Sequence, residues 1–270
     1  AFALVVIAGP CGDVPGVLVD TARASSKTPV PLTYARAGNQ AEASTRRGRS
    51  VTRSEPSPMR RRGAGWGPFM GVSWWKVGVM DAVELHRRAV EDWVGAVRAV
   101  DAEAWVASTP CAAWDVRELV NHITYEERWA VPLMQGRTIA DVGDALEGNL
   151  LGDKPVDAVE RAAAEAIDVF AEPGAADRMV ALSFGSTPAE EYAMQLAADH
   201  LIHGWDLKVA TGQDRTLPPD VVAGVAAWYV DREELYRGSG SVGDKVDVGP
   251  DASDQDRLLA AFGRDPRWSA

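Results

Sequence analysis

The sequence is poor in cysteine, and it contains no apolar stretch long enough to cross a bilayer. Cys11 and Cys111 are its two cysteines, and neither belongs to a Cys-x-x-Cys pair. We therefore expect no disulfide framework and a reducing compartment. The longest apolar run, AFALVVIA at residues 1–8, is far shorter than the roughly 20 residues that a transmembrane helix needs. These shortages favour a cytoplasmic protein with no membrane partner.

Basic residues are also scarce over most of the chain. Residues 1–79 carry eleven Lys and Arg against four Asp and Glu, a formal charge of +7, whereas residues 80–270 carry seventeen against thirty-five, a charge of −18. Phosphate binding requires a cationic surface. The acidic part is therefore not expected to bind nucleic acid.

Residues 1–79 also lack a sustained helical or strand period, and they mix Gly, Pro, Ser and Arg. That composition is typical of disorder. We expect a disordered or non-native N-terminal extension, with Met80 as the natural start of the folded part. The alternative is an electrostatic arm for nucleic acid or acidic lipid, built on arginine runs such as residues 60–62.

Residues 80–270 show the three- and four-residue apolar spacing of helices. The pattern predicts four main helices, a fifth over residues 218–238 and a short sixth after Ser253. Two segments, DRMVALSFG and DKVDVG, are predicted to be short extended pieces. The fold class that follows is all-α, a four-helix bundle with a crossover connection and short C-terminal additions.

Several end signals accompany these helices. Asp115 and Glu118 form a capping-box pattern before the second helix, and Pro132 is expected to bend or end it. Pro155 begins the third helix. The fourth is predicted to begin with Thr187 as its cap and Pro188 as its first residue.

The fourth helix carries Asp199 and His203 one turn apart. Together with apolar neighbours they fall on one seam that is expected to face the other helices, namely Tyr192, Leu196, Asp199, His203, Leu207 and Ala210. A buried carboxylate pairs, becomes protonated or binds a metal. A carboxylate and an imidazole four residues apart can hold one cation from a single helical turn.

A third ligand has to come from another helix, and His122 lies at the margin of the buried stripe of the second. Two histidines and one carboxylate would leave coordination positions open, which catalysis requires and structural sites avoid. Two interpretations without a metal remain: an ordinary helix-supporting pair of Asp199 and His203, or a buried hydrogen-bond network.

Other residues near the motif have lesser predicted roles. His200 is an alternative ligand or a supporting hydrogen-bond donor. Asp206 either receives the free ring N–H of His203 or is an exposed helix charge. His86 is expected at the surface, and Cys111 is expected to be a packed thiol. Four tryptophans are candidates for a substrate pocket or for the core: Trp114, Trp129, Trp205 and Trp228.

Three motifs resemble a known family. STPCAAWDVRELVNHI, AADHLIHGWDLKVATG and DRLLAAFGRDP are similar to the DinB-like metal-binding family related to the N-terminal, metal-binding domain of mycothiol-dependent maleylpyruvate isomerase. The resemblance runs from about Met80 to Pro266. It implies a divalent metal, most often zinc, held by His122, Asp199 and His203. The isomerase has Glu where this chain has Asp199.

Enzymatic members of that family transfer or add low-molecular-weight thiols. The resemblance therefore implies a zinc-dependent thiol transferase or isomerase of the mycothiol type, with mycothiol as cosubstrate and a small electrophile as substrate. The alternatives are a metal-dependent hydrolase and a non-catalytic metal- or ligand-binding helical bundle. The sequence identifies no separate general base, and it is compatible with a monomer or a homodimer.

Overall fold

The computed structural model describes residues 80–270, and this part of the chain is mainly helical. The predicted N-terminal extension lies outside the described residues. Within residues 80–270 no helix is both long and apolar enough to span a membrane.

The described part consists of α-helices, one short 3-10 helix at Ala102–Val106 and one β-hairpin. The elements, in chain order, are α1 (Ala82–Arg98), α2 (Val116–Met134), α3 (Ile139–Val142), α4 (Pro155–Ala171), β1 (Met179–Leu182), β2 (Gly185–Pro188), α5 (Ala189–Ala210), α6 (Pro219–Tyr229), α7 (Glu233–Gly238) and α8 (Asp254–Ala261).

The long helices α1, α2, α4 and α5 form the predicted bundle. α1 packs against α4 and α5, and α2 packs against the same two helices. Paired contacts fix their directions: α5 runs parallel to α1 and antiparallel to α2, and α4 runs antiparallel to α1. The contacts are His86–His200 and Asp92–Lys208 between α1 and α5, His122–His203 and Glu127–His200 between α2 and α5, and His86–Phe170 and Arg98–Glu160 between α1 and α4.

The neighbours α2 and α4 are therefore parallel, so the chain between them must run back along the bundle. This connection, residues 135–154, is attached to the flank of α2. The Asn121 amide donates to the Gly148 carbonyl at 3.1 Å and accepts from the Leu150 N–H at 2.8 Å, and Arg117 donates to the Gly152 carbonyl at 2.6 Å. The predicted crossover is confirmed.

Most helix ends follow the signals in the sequence. The capping box of Asp115 and Glu118 is present, with two bonds of 2.9 Å. Pro132 lies inside α2, which ends two residues later. The predicted start of α5 is wrong by one residue, because Thr187 and Pro188 complete β2 and the Thr187 hydroxyl donates to the Gly185 carbonyl instead of capping the helix.

Of three other details of the sequence prediction, two are wrong and one is confirmed. The predicted fifth helix is two helices, α6 and α7, with a break at residues 230–232. The segment DKVDVG forms no strand. The segment DRMVALSFG does contain one, β1, which pairs antiparallel with β2 and turns back so that Met179 faces Pro188.

The predicted seam of α5 is buried, as expected, and so is the rest of the helix from Tyr192 onward. Every residue from Tyr192 to Ala210 is buried, because α1, α2, α6 and the hairpin surround the helix. A helix that is buried on every side has no polar face. Its charged and polar side chains must therefore find partners inside the protein.

The chain after α8 turns back into the protein at Gly263. The Gly263 N–H donates to the Ala260 carbonyl at 3.0 Å and the Arg264 N–H to the Leu259 carbonyl at 2.9 Å, the two bonds of a Schellman motif. Gly263 has φ +77°, and a Cβ there would lie 3.0 Å from the Gly243 Cα. The turn therefore requires glycine for both backbone conformation and space.

We expect Gly263→Ala to be clearly more destabilising than Gly174→Ala, as measured by denaturant unfolding. Gly174 has a similar φ of +75°, but a Cβ added there would meet nothing within 4 Å, so its variant loses only the roughly 1–2 kcal/mol of a left-handed residue. The close backbone at Gly263 adds about 1–3 kcal/mol of overpacking. Equal losses would contradict a steric role for this contact.

Candidate metal centre

His122, Asp199 and His203 come together between α2 and α5. One ligand atom from each lies within 4.8 Å of the others. His122 Nε2 is 3.5 Å from Asp199 Oδ2, and His203 Nε2 is 3.5 Å from Asp199 Oδ1. The three residues predicted as ligands thus share one cluster.

The donor atoms suit a divalent cation. Ligand atoms about 2.1 Å from a tetrahedral zinc ion are roughly 3.4 Å apart, and each histidine nitrogen lies 3.5 Å from one of the two Asp199 oxygens. The Nε2 atoms of His122 and His203 are buried and have no hydrogen-bond partner among the described residues. Burying such a group without a partner costs about 1–3 kcal/mol. A cation between them would satisfy both nitrogens.

One member of the cluster is partly exposed. The side chains of Asp199 and His203 are fully buried, whereas 10% of the His122 side chain is exposed. The Trp114 ring covers His122 with centroids 4.7 Å apart and lies 5.8 Å from the His203 ring. The partly exposed side of the cluster is therefore the side of His122 and Trp114.

The other nitrogen of His203 belongs to a separate hydrogen-bond chain. His203 Nδ1 is 2.9 Å from Asp206 Oδ2, so the bond predicted as one alternative for Asp206 is present. Arg264 Nη2 donates to the same oxygen at 2.9 Å. Burial would raise the pKa of Asp206, but the Arg264 charge and the His203 bond outweigh it and lower that pKa to about 2. Burial lowers the pKa of His203.

Cys111 lies beside this chain. Its thiol is buried, 3.5 Å from Asp206 Oδ2 and 3.9 Å from His203 Nδ1. Cys111, His203 and Asp206 also form a group close enough for a metal. The guanidinium of Arg264, 3.6 Å from Cys111 Sγ, already supplies the positive charge there. The cluster of His122, Asp199 and His203 is therefore the better cation site, and Cys111 is the packed thiol that was predicted.

Two further polar groups lie beside Asp199. Glu126 follows His122 by one turn of α2, and Tyr192 precedes Asp199 by two turns of α5; both are buried. Burial, followed by the Asp199 charge, raises the pKa of Glu126 well above its ordinary value. Burial, then the charges of Glu126 and Asp199, does the same to the pKa of Tyr192. A buried carboxyl and a buried phenol thus interact electrostatically with Asp199.

His86 and His200 do not belong to this cluster. His86 is fully buried against Phe170, so its predicted surface position is wrong. His200 points away from the cluster: its Nδ1 lies 2.7 Å from the Leu196 carbonyl and its Nε2 lies 3.1 Å from Glu127. The prediction of His200 as an alternative ligand is therefore wrong.

The four tryptophans have different positions. Trp114 borders the cluster, whereas Trp129 and Trp205 are buried in the core. Trp228 donates to Glu191 at 3.1 Å, away from the cluster. Only Trp114 of the four contacts a predicted ligand.

Sequence reasoning missed the roles of Glu126 and Arg264. The four-residue step from His122 to Glu126 was a usable signal, because it predicts a shared helix face. Arg264 lies within the C-terminal motif DRLLAAFGRDP, but its distance along the chain from His203 gave no sign that the two residues meet.

Known proteins resemble this chain over the same region. Residues 86–208 match the family described as the mycothiol maleylpyruvate isomerase N-terminal domain. Two uncharacterized proteins of Mycobacterium tuberculosis, from strains CDC 1551 / Oshkosh and ATCC 25618 / H37Rv, are each 29% identical over 194 residues, which is 70% of this chain and 100% of each relative.

A solved structure of the mycothiol-dependent maleylpyruvate isomerase is also similar. It is 17% identical, with a TM-score of 0.45 over 60% of this chain and 72% of the other. The family match includes all three predicted ligands. The match over residues 86–208 confirms the resemblance to this family that the sequence motifs predicted.

Proposed function

We propose that this protein binds one divalent metal ion, zinc being the first candidate, through His122, Asp199 and His203, and that it transfers or adds a small thiol to a small electrophile. The main support for this proposal is the cluster of three ligand atoms that lie within 4.8 Å of one another. In this cluster the Nε2 atoms of both histidines are buried and have no hydrogen-bond partner among the described residues. His122, the partly exposed member of the cluster, is the residue beside which a further ligand would bind.

A bound divalent cation would lower the pKa of a thiol or water molecule that ligates it. The side chains of this protein then have separate tasks. Asp199 and His203 are fully buried. Their half of the site therefore excludes water and holds both side chains in place. The Trp114 ring covers the exposed half and restricts the approach to small molecules.

Glu126 is the residue best placed to exchange a proton with the substrate. It lies on the His122 face of α2, and burial, followed by the Asp199 charge, raises its pKa well above the ordinary value, which favours the protonated carboxyl. Carboxyl groups tuned in this way act as general acids and bases. The buried phenol of Tyr192 can orient the same substrate by a hydrogen bond.

The choice of thiol is supported by the family. The matched family is named for mycothiol and for maleylpyruvate isomerase. We therefore propose mycothiol as the cosubstrate and maleylpyruvate as one electrophile to test first.

We expect purified residues 80–270 to contain about one zinc or similar divalent ion per chain, measured by elemental analysis. The double variant His122→Ala, His203→Ala should lose it, because two of three ligands are gone. The control is His86→Gln, which also removes a buried histidine but lies outside the cluster and should retain the metal.

Circular dichroism should show that all three proteins remain helical. The proposed metal centre is contradicted if the parent protein contains no metal and its thermal stability changes with neither added zinc nor chelator. The three residues would then form only a buried polar network. Metal-dependent ester or amide cleavage without any thiol would replace the transferase by a hydrolase.

We expect Glu126→Gln to keep its metal and to lower thiol-transfer turnover by about 100-fold or more, the usual size of a general acid–base contribution. The matched control is Glu127→Gln, the next residue, whose carboxyl faces His200 at 3.1 Å rather than the cluster. Turnover is measured by loss of free thiol with each electrophile. Similar losses in both variants would contradict a proton-transfer role for Glu126.

A further inference from the structure

We propose that Arg264 is a positioning residue for the candidate metal centre: it holds Asp206, and Asp206 keeps His203 with a proton on Nδ1 and a free Nε2 directed at His122 and Asp199. This inference rests on the proposed function for its effect on metal binding. The positioning itself concerns side chains of this chain alone.

Arg264 binds the Asp206 carboxylate through two guanidinium nitrogens. Arg264 Nε lies 3.0 Å from Asp206 Oδ1, and Nη2 lies 2.9 Å from Oδ2. The Arg264 side chain is 4% exposed and that of Asp206 is fully buried. A two-pronged guanidinium contact fixes both the position and the plane of a carboxylate.

The contact between Arg264 and Asp206 determines which ring nitrogen of His203 carries the proton. A carboxylate bound by a guanidinium is ionised and can only accept hydrogen bonds. The contact of 2.9 Å between His203 Nδ1 and Asp206 Oδ2 therefore requires Nδ1 to donate. A neutral imidazole has one N–H, so Nε2 keeps its lone pair. Nε2 is the atom that lies 3.5 Å from Asp199.

Arg264 is distant in sequence from Asp206, and the fold brings the two residues together. α8 ends at Ala261, and the left-handed turn at Gly263 sends the next residue back toward α5. Arg264 lies outside residues 86–208, which match the isomerase family. The C-terminal segment thus supplies Arg264, which holds Asp206 beside His203 in the helical bundle.

Two roles of Arg264 predict different results. If it acted only as a positive charge near the cluster, its removal would strengthen cation binding, and replacement by lysine would change little. If it positions Asp206, lysine also fails, because an ammonium group cannot reproduce the planar two-pronged contact. Arg264→Lys separates these roles because it keeps the charge.

The first experiment measures the zinc affinity of the full chain by competition with a chelator. We expect Arg264→Lys to bind zinc 10- to 100-fold more weakly, the usual loss when the partner of a ligating histidine is disturbed. In the Asp206→Asn background the same substitution should cause little further loss, because both changes act through one contact.

The matched control is Arg237→Lys. Arg237 donates to the Ala261 carbonyl at 2.9 Å and to the Gly243 carbonyl, and so anchors the same C-terminal segment without touching Asp206. It should lower thermal stability and leave zinc affinity unchanged. Equal loss of zinc affinity in both lysine variants would overturn the positioning role and reduce Arg264 to a structural anchor.

The second experiment needs no metal. Two-bond 15N–1H correlation spectra of the metal-free protein show which ring nitrogen of each of the four histidines is protonated. We expect Nδ1–H at His203 in the parent and a mixture of tautomers in Arg264→Lys.

Failures of the two proposals are distinguishable. Unchanged zinc affinity and an unchanged tautomer in Arg264→Lys would overturn this inference while the metal centre stands. A parent that binds no zinc would contradict the proposed function, and the tautomer of His203 would then decide the inference alone.

Discussion

The complete burial of α5 is the constraint on which the site depends. Asp199, His203 and Asp206 lie on a helix that has no face in contact with water. Buried charges and imidazoles are unfavourable unless other groups pair with them. Each of these side chains therefore draws a partner from another part of the fold. Asp199 and His203 meet His122 of α2, and Asp206 meets Arg264 of the segment after α8.

The two nitrogens of His203 divide the site into two halves. Nδ1 faces Asp206 and Arg264, a region where charge is already balanced and which is closed to solvent. Nε2 faces Asp199 and His122, where the nitrogens lack hydrogen-bond partners among the described residues and the His122 side chain is partly exposed. The first half is suited to holding a ligand still, and the second to binding a cation and a small molecule beside it. The proposal of a thiol transferase depends on this asymmetry.

The same helix also carries a polar contact with a different role. His200 follows Asp199 directly, yet it points to Glu127 because successive residues of a helix are rotated by about 100 degrees. In this buried pair, Glu127 raises the pKa of His200 despite the opposing effect of burial. The Glu127–His200 contact joins α2 to α5 on the side away from the candidate metal centre. The motif DHLIHGWDL therefore contains one histidine for packing and one for the site.

The sequence alone predicted the main helices, several of their caps, the resemblance to the isomerase family and the cluster of His122, Asp199 and His203, because these depend on local spacing and short motifs. It did not determine that α5 is buried all round, that His86 is inside, or that Glu126 faces Asp199, because helix periodicity indicates a face without saying what covers it. Arg264 is the clearest case. Its contact with Asp206 joins residues 58 positions apart, and only the packing of α8 and the turn at Gly263 brings a guanidinium to a carboxylate that burial leaves in need of one.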